Sequence, residues 1–228
     1  MEEKHIQQLI SIVRNTTDKK DYIEEDLMMD AIYKEKYYGS CFGLSMLAIY
    51  NCYGIIHPSA LGTDIEGKPA EILRSVVMND NLKSLINSHS LLQRITPFQK
   101  KINNYVGKSE NEKLKNICDW VTMDGPPVLL CYMVRTEAES LSHAVVAYGK
   151  EIGTYTFKNM PTQYNVKIYI YDSNQTAFPN RAENAEFPNV FDTYCMYINT
   201  TTGSWYIPAR DVTEGDRNGD GKTDGLIL

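Results

Sequence analysis

Apolar residues in the first half of the chain recur at helical spacing. Residues 5–14, 41–53, 69–90 and 112–123 repeat apolar side chains every three or four positions, which predicts four helices. Residues 22–36 carry more charge and are expected to be helical or irregular.

The pattern changes after residue 124, where short apolar runs become rich in β-branched and aromatic residues. These runs are 128–134, 143–149, 164–172, 193–199 and 204–208, and they predict strands. Residues 200–203, Thr-Thr-Thr-Gly, predict a hairpin turn between the last two strands. Because helices come first and strands second, we expect an α+β fold whose helical N-terminal half packs against an antiparallel β-sheet.

Composition and charge argue against some classes of partner. The pattern along the chain suggests three segments. The chain has 228 residues, with 43% hydrophobic and 23% charged, which is ordinary for a soluble globular protein. The net charge of -6, without a basic stripe, argues against nucleic acid or an anionic membrane as partner. The first 21 residues lack a signal-peptide pattern. We expect an N-terminal helical extension over 1–30, a main domain over 31–210, and an acidic tail over 211–228.

Cys41 is the strongest candidate nucleophile among the five cysteines. Their odd number, and the absence of CxxC or zinc-ligand spacing, argue against a disulfide scaffold and a zinc site. Ser40 suits an N-cap, which places Cys41 in the first turn of the helix predicted over 41–53. The helix dipole favours a thiolate there and opposes one at Cys52, near the other end.

A nucleophilic thiol needs a base, and His143 is the histidine best placed to serve. It begins the strand predicted over 143–149, where a side chain can face a cleft while the strand stays buried. His5, His57 and His89 are expected to be solvated side chains. A structural role for His143 stays open at this point.

A third polar group should orient the imidazole of His143. The strand predicted over 164–172 is apolar until it ends in Asp172-Ser173-Asn174. If that strand pairs with the one that begins at His143, Asp172 can accept a hydrogen bond from the ring, with Asn174 as the alternative. The same three residues are also typical of a plain turn.

The order of these motifs resembles the papain-like cysteine peptidases. Gly-Ser-Cys-Phe at 39–42 looks like the family's cysteine signature, and Ser-His-Ala-Val-Val-Ala-Tyr-Gly at 142–149 looks like its histidine strand. Ile-Tyr-Asp-Ser-Asn at 170–174 is closer to the bacterial branch that uses aspartate. The chain is similar to cysteine peptidases attached to dockerin modules in gut and rumen bacteria. The resemblance covers roughly residues 30–208.

The resemblance implies a papain-like fold and a peptidase that acts through an acyl-enzyme. Cys41 would be the nucleophile, His143 the acid and base, and Asp172 or Asn174 the orienting group. The implied substrate is a peptide or protein, and the implied reaction needs no cofactor. A related amidase or acyltransferase, such as a transglutaminase, would share this triad.

One position departs from the family pattern. Papain-like enzymes usually carry a glutamine six residues before the cysteine, where it helps to stabilise the oxyanion, and this chain has Glu35 there. An ionised glutamate would repel an oxyanion. The alternative is therefore a catalytically inactive papain-like domain that binds peptide or protein.

The acidic tail contains the spacing of a calcium loop. The predicted ligands are Asp216, Asn218, Asp220, Lys222 and Asp224, with glycine at the sixth position. Ile227 stands where a bidentate acid belongs, so we expect weak binding, and a polar tail without calcium is the alternative. The loop resembles part of a dockerin, which implies a cohesin-type partner if the dockerin is complete, and a secreted or cell-surface location.

Overall fold

The computed structural model describes eight stretches of the chain, which form two units. The described residues are 41–56, 80–94, 96–135, 140–158, 160–173, 194–210, 212–213 and 225–226. The first unit is Met1–Asn104 and the second is Tyr105–Leu228.

The described part of the first unit is helical. Helix α1 is Cys41–Cys52, α2 is Asp80–Leu91, a 3₁₀ turn follows at Leu92–Arg94, and α3, Thr96–Val106, crosses the boundary between the units. These bounds confirm the helix predicted from residue 41 and the second half of the one predicted over 69–90.

Helices α1 and α2 pack through a small apolar cluster and a close backbone approach. Leu47 of α1 contacts Leu82 and Ile86 of α2, and all three side chains are buried. A Cβ atom at Gly43 would overlap the carbonyl oxygen of Ile86, so only glycine lets the helices approach this closely. The Gly43 amide donates a 3.1 Å hydrogen bond to Ser90 Oγ, which satisfies one of the unpaired N–H groups at the start of α1.

The second unit begins with the end of α3, followed by one further helix and the sheet. Helix α4 is Glu110–Trp120, and a capping box between Ser109 and Glu112 fixes its start. The strands are β1 Val128–Arg135, β2 Ser140–Tyr155, β3 Tyr164–Tyr171, β4 Cys195–Asn199, β5 Ser204–Ile207, β6 Val212–Thr213 and β7 Gly225–Leu226. A 3₁₀ turn at Pro208–Arg210 separates β5 from β6.

All seven described strands form one sheet in which every neighbouring pair is antiparallel. Their order is β6-β5-β4-β3-β2-β1-β7. The predicted hairpin turn between β4 and β5 is present, and its Gly203 has a φ of 76°, which favours glycine. The expected α+β class with an antiparallel sheet is confirmed.

The two faces of the sheet are packed differently. One face, called here the aliphatic face, meets α4 through Leu114, Ile117 and Val121. Its strand residues are Leu130, Tyr132, Val145, Ala147, Val166, Ile168, Ile170, Met196, Ile198, Trp205 and Ile207. A separate buried cluster is mainly aromatic and is built from Phe157, Tyr164, Cys195, Tyr197 and Tyr206.

Three features of the fold were not predicted. Helix α3 has a largely polar sequence, Thr-Pro-Phe-Gln-Lys-Lys-Ile-Asn-Asn-Tyr-Val, although its few apolar residues recur at helical spacing. Strand β2 continues past Gly149, the expected end, because Gly149 pairs with Tyr169 of β3, and Tyr148 is the extra residue of a bulge in this pairing. The two-residue strands β6 and β7 are too short to show an alternation.

Residues 212–213 and 225–226 lie within the segment expected to form an acidic tail. Strand β6 pairs with β5, and β7 pairs with β1, so these four residues belong to the sheet of the second unit. Within the described ranges, no helix is long and apolar enough to cross a membrane.

Candidate active site

His143 and Asp172 form a direct hydrogen bond at one end of the sheet. His143 Nε2 lies 2.7 Å from Asp172 Oδ1. The sequence predicts Asp172 as the acceptor for this ring, with Asn174 as the alternative, and the side chains of His143 and Asp172 do meet. Because a carboxylate accepts and cannot donate, the bonded form of the histidine carries its hydrogen on Nε2.

The register of β2 and β3 explains why these side chains meet. Ala147 of β2 lies opposite Ile170 of β3, and both point to the aliphatic face. Side chains alternate between the two faces of a sheet along a strand. Asp172, just past the end of β3, therefore lies on the same face as Ile168 and Ile170. His143 precedes Ala147 and Val145 on alternate positions of β2, so it lies on the same face. Its position across the two strands makes it a diagonal neighbour of Asp172.

Both members of the pair are buried. His143 is 9% exposed as a residue, and the Asp172 side chain is 2% exposed. An isolated carboxylate is strongly disfavoured out of water, and the imidazole supplies both a donor and, when protonated, a counter-charge. The bond to Nε2 directs acid–base exchange to Nδ1, the other ring nitrogen.

One aromatic side chain borders the imidazole on the aliphatic face, and a second lies beside the first. Tyr132 of β1 lies directly opposite His143 in the register, and the two rings meet edge to face with centroids 5.4 Å apart. Trp205 of β5 lies behind Tyr132, with ring centroids 6.4 Å apart. Neither aromatic residue is predicted from the sequence, because the pairing of Tyr132 with His143 depends on the register of β1 and β2.

Cys41 is the first residue of α1, in the first unit. Its residue is half-buried, and no acidic side chain lies in the first turn of the helix. The amides at a helix start and the positive end of its dipole favour a thiolate. Cys41 and His143 belong to different units, so their proximity stays a prediction.

The remaining thiols are less suited to attack a substrate. Burial raises the pKa of Cys52 above its ordinary value, and it raises the pKa of Cys118 to about 11, which Lys150 only partly offsets. Cys195 is fully buried in the aromatic cluster. Cys131 is half-buried on β1, opposite Ala144. No disulfide joins any of the five cysteines, all of which lie in the described ranges.

His89 corrects one expectation from the sequence. It was expected to be solvated at the end of a polar helix, but it is buried, and its Nδ1 lies 2.7 Å from the Leu85 carbonyl oxygen one turn earlier. Its ring meets Tyr50 edge to face at 5.2 Å. Helix α2 packs against α1, and this packing buries a side chain that the local sequence marks as polar.

Several predicted residues lie outside the described part of the chain. These are Ser40, Glu35, His5, His57 and Asn174, together with the calcium-loop positions Asp216, Asn218, Asp220, Lys222 and Asp224. Within the described ranges, no group of three or more histidine, cysteine, aspartate or glutamate side chains is arranged to hold a metal ion.

Comparison with known proteins gives no relative. No protein family, no curated protein and no solved structure matches the chain.

Proposed function

We propose that this protein is a cysteine peptidase that cleaves peptide bonds through Cys41, His143 and Asp172. The observation that carries the proposal is the buried 2.7 Å hydrogen bond between His143 Nε2 and Asp172 Oδ1. Histidine held by a carboxylate on one nitrogen is the arrangement that hydrolases use to move protons at the other. The papain-like fold is part of the same proposal, supported by a helix that begins with Cys41 and a later antiparallel sheet.

The first half of the reaction forms an acyl-enzyme. The Cys41 thiolate attacks the carbonyl carbon of the scissile bond, and a tetrahedral oxyanion forms. His143, protonated on Nδ1, gives that proton to the amide nitrogen as the C–N bond breaks. The amine leaves, and the acyl group stays on sulfur as a thioester.

The second half releases the acid and restores the enzyme. Neutral His143 accepts a proton on Nδ1 from water, and the resulting hydroxide attacks the thioester carbonyl. The C–S bond breaks, and the carboxylic acid leaves while the Cys41 thiolate and His143 imidazolium re-form. Asp172 stays ionised throughout, fixes the ring and stabilises its positive form.

Asp172 is suited to that role because it is more buried than the histidine that it holds. A carboxylate with 2% of its side chain exposed is weakly screened by water, so its interaction with an imidazolium is stronger than at the surface. The Tyr132 ring borders the imidazole, and the buried Trp205 ring lies beside Tyr132.

Glu35 favours one alternative, a domain that has kept the triad but lost catalytic power. A carboxylate near the oxyanion would oppose the charge that develops there. Such a domain would bind peptide or protein without cleaving it. An amidase or acyltransferase with the same triad would differ only in the group that accepts the acyl chain.

The proposal is tested with fluorescein-labelled casein and a peptidyl epoxide. We expect casein to be cleaved, and the epoxide to form one adduct on Cys41, found by peptide mass spectrometry. Cys41→Ala should abolish both. Cys52→Ala, at the other end of the same helix, should change neither.

Three results would count against the peptidase. Cleavage that survives Cys41→Ala would remove the nucleophile from the account. An adduct on Cys41 without cleavage of casein or of a peptide library would favour the amidase or acyltransferase. Labelling of Cys41 no faster than free cysteine would favour the inactive binding domain.

We also propose that the C-terminal segment binds calcium weakly and that the protein acts outside the cell. Support comes from the spacing of Asp216, Asn218 and Asp220, whose oxygens suit a hard cation. Calorimetry should detect heat on adding calcium chloride to the wild type and none with Asp220→Ala. Equal heats in both proteins would rule out this loop. A cohesin-type partner is proposed on the same basis.

A further inference from the structure

The hydrogen bond to Asp172 fixes one nitrogen of the His143 ring, but one such bond does not by itself set the plane of the ring. A single N–H···O contact restrains the Nε2–Oδ1 distance and tolerates a range of angles. Rocking would move Nδ1, the atom that exchanges protons in the proposed reaction. Misplacing a reacting group by about 1 Å can cost about 100-fold in rate, so a second restraint on the ring matters.

Tyr132 contacts the His143 ring from a direction that the hydrogen bond to Asp172 does not restrain. It lies directly across from His143 in the β1–β2 register, on the same face of the sheet. The two ring planes meet at 78°, with centroids 5.4 Å apart. Edge-to-face pairs of this kind resist rotation of either ring, because tilting loses the favourable meeting of a positive edge with a negative face.

Tyr132 is itself held on two sides. Its residue is 2% exposed, and its ring lies beside Trp205, which is completely buried in the core cluster of the aliphatic face. Along the other edge of β1, its backbone pairs with Leu226 of β7. A tyrosine fixed by the core and by the sheet can hold a neighbouring ring more firmly than a mobile side chain could.

We propose that Tyr132 is a positioning residue that sets the plane of the His143 imidazole and shields the Nε2–Asp172 hydrogen bond from water. This inference rests on the proposed function for its catalytic consequence, although the geometry that it describes does not. The aromatic ring performs the role, so phenylalanine should replace tyrosine, whereas an aliphatic side chain should not.

The direct test is the proton on His143 Nε2, observed by NMR in protein labelled with ¹⁵N-histidine. Wild type and Tyr132→Phe should both show this proton far downfield and in slow exchange with water. In Tyr132→Leu, we expect exchange at least about 10-fold faster, because the hydrogen bond opens more often once the ring contact is lost. Tyr164→Leu is the matched control, since Tyr164 is equally buried but belongs to the aromatic cluster.

Several outcomes of this exchange experiment would overturn the proposal. The proposal is overturned if wild type lacks the protected proton, or if Tyr132→Leu exchanges at the wild-type rate. It is also overturned if Tyr132→Phe or Tyr164→Leu accelerates exchange as much as Tyr132→Leu does. If circular dichroism shows that Tyr132→Leu is unfolded, Tyr132→Met takes its place under the same criteria.

A kinetic arm tests the catalytic consequence. With a fluorogenic peptide that the wild type cleaves, Tyr132→Leu should lower kcat about 10-fold and leave KM nearly unchanged, and phenylalanine should restore kcat. A parallel rise in KM without loss of kcat would overturn a positioning role. If the protein shows no Cys41-dependent cleavage, the proposed function fails, while the proton-exchange result still decides the role of Tyr132.

Discussion

Two histidines in the described part of the chain are buried, His143 in the sheet and His89 in helix α2, and they show what distinguishes a candidate base from a packed side chain. Both are less than a tenth exposed, both meet a tyrosine ring edge to face, and both make a 2.7 Å hydrogen bond. The difference is the partner. His143 bonds to a carboxylate that lies just past the end of the neighbouring strand β3, whereas His89 bonds to the main-chain carbonyl of Leu85 in its own helix.

The partner decides which charge state the ring can adopt. Burial lowers the pKa of His89, and the Leu85 carbonyl only partly offsets this, so the neutral ring is favoured. A buried carboxylate, by contrast, offers an imidazolium a full counter-charge. Burial alone therefore does not identify a catalytic histidine, and the buried counter-charge is the better criterion.

Replacing each histidine should give the largest contrast between the two regions. His143→Ala should lower peptide cleavage by about 1,000-fold, because the acid and base are lost together. His89→Asn should retain activity within about twofold, since it contacts no reacting group and asparagine can still donate to the Leu85 carbonyl. Initial rates with a fluorogenic peptide measure the activity of both variants. Equal losses of activity would show that the two histidines do not differ in their catalytic role.

Replacing Asp172 by a neutral residue of the same size should have the next largest effect on activity. Asp172→Asn keeps the shape and an acceptor oxygen but loses the negative charge that stabilises the imidazolium. We expect kcat to fall by about 100-fold with little change in KM. A wild-type kcat in this variant would mean that Asp172 holds the ring only as a neutral acceptor would.

The low pKa of His89 should make the folded protein sensitive to acid. Between the lowered pKa and the ordinary value of 6.5, the unfolded chain binds more protons at this site than the folded protein does. The free energy of unfolding should therefore be highest above pH 6.5 and should fall as the pH falls through the lowered pKa. Urea titrations at several pH values should show this fall in wild type and a smaller one in His89→Asn.

If the free energy of unfolding of His89→Asn falls as much as that of the wild type, the acid sensitivity arises from other groups. The helical signal is the appropriate probe, because His89 lies in the packed pair α1 and α2.

The smallest effect is expected at Cys118, which tests whether a half-buried thiol is enough for reactivity. With a pKa of about 11, roughly 0.1% of this thiol is ionised at pH 8. Cys118→Ala should therefore leave the fast phase of alkylation by iodoacetamide unchanged. Loss of that phase would show that Cys118, rather than Cys41, carries the reactive thiolate.

The sequence predicted those parts of the candidate site that depend on local pattern. A strong apolar run after Ser40 marks the helix that begins at Cys41, and the alternation of β3 marks the face on which Asp172 lies. The pairing of β2 with β3 then brings Asp172 to His143. Each of these steps needs only neighbouring residues and one assumed strand pairing.

The features that escaped prediction depend on contacts distant in sequence. His89 looks solvated in its own helix, and only packing of α2 against α1 buries it. Tyr132 reads as an ordinary strand aromatic until the exact β1–β2 register is known. Strand β7 is too short for any pattern, and its pairing with Tyr132 and Met133 emerges only in the assembled sheet.

The central claim is that His143, held by Asp172, keeps Cys41 as a reactive thiolate. The most direct measurement is the rate at which iodoacetamide alkylates Cys41 between pH 5.5 and 8.5, followed by peptide mass spectrometry. The account predicts fast alkylation below pH 7 in wild type and in His89→Asn, and its loss in His143→Ala. The same rate profile for wild type and His143→Ala would contradict it.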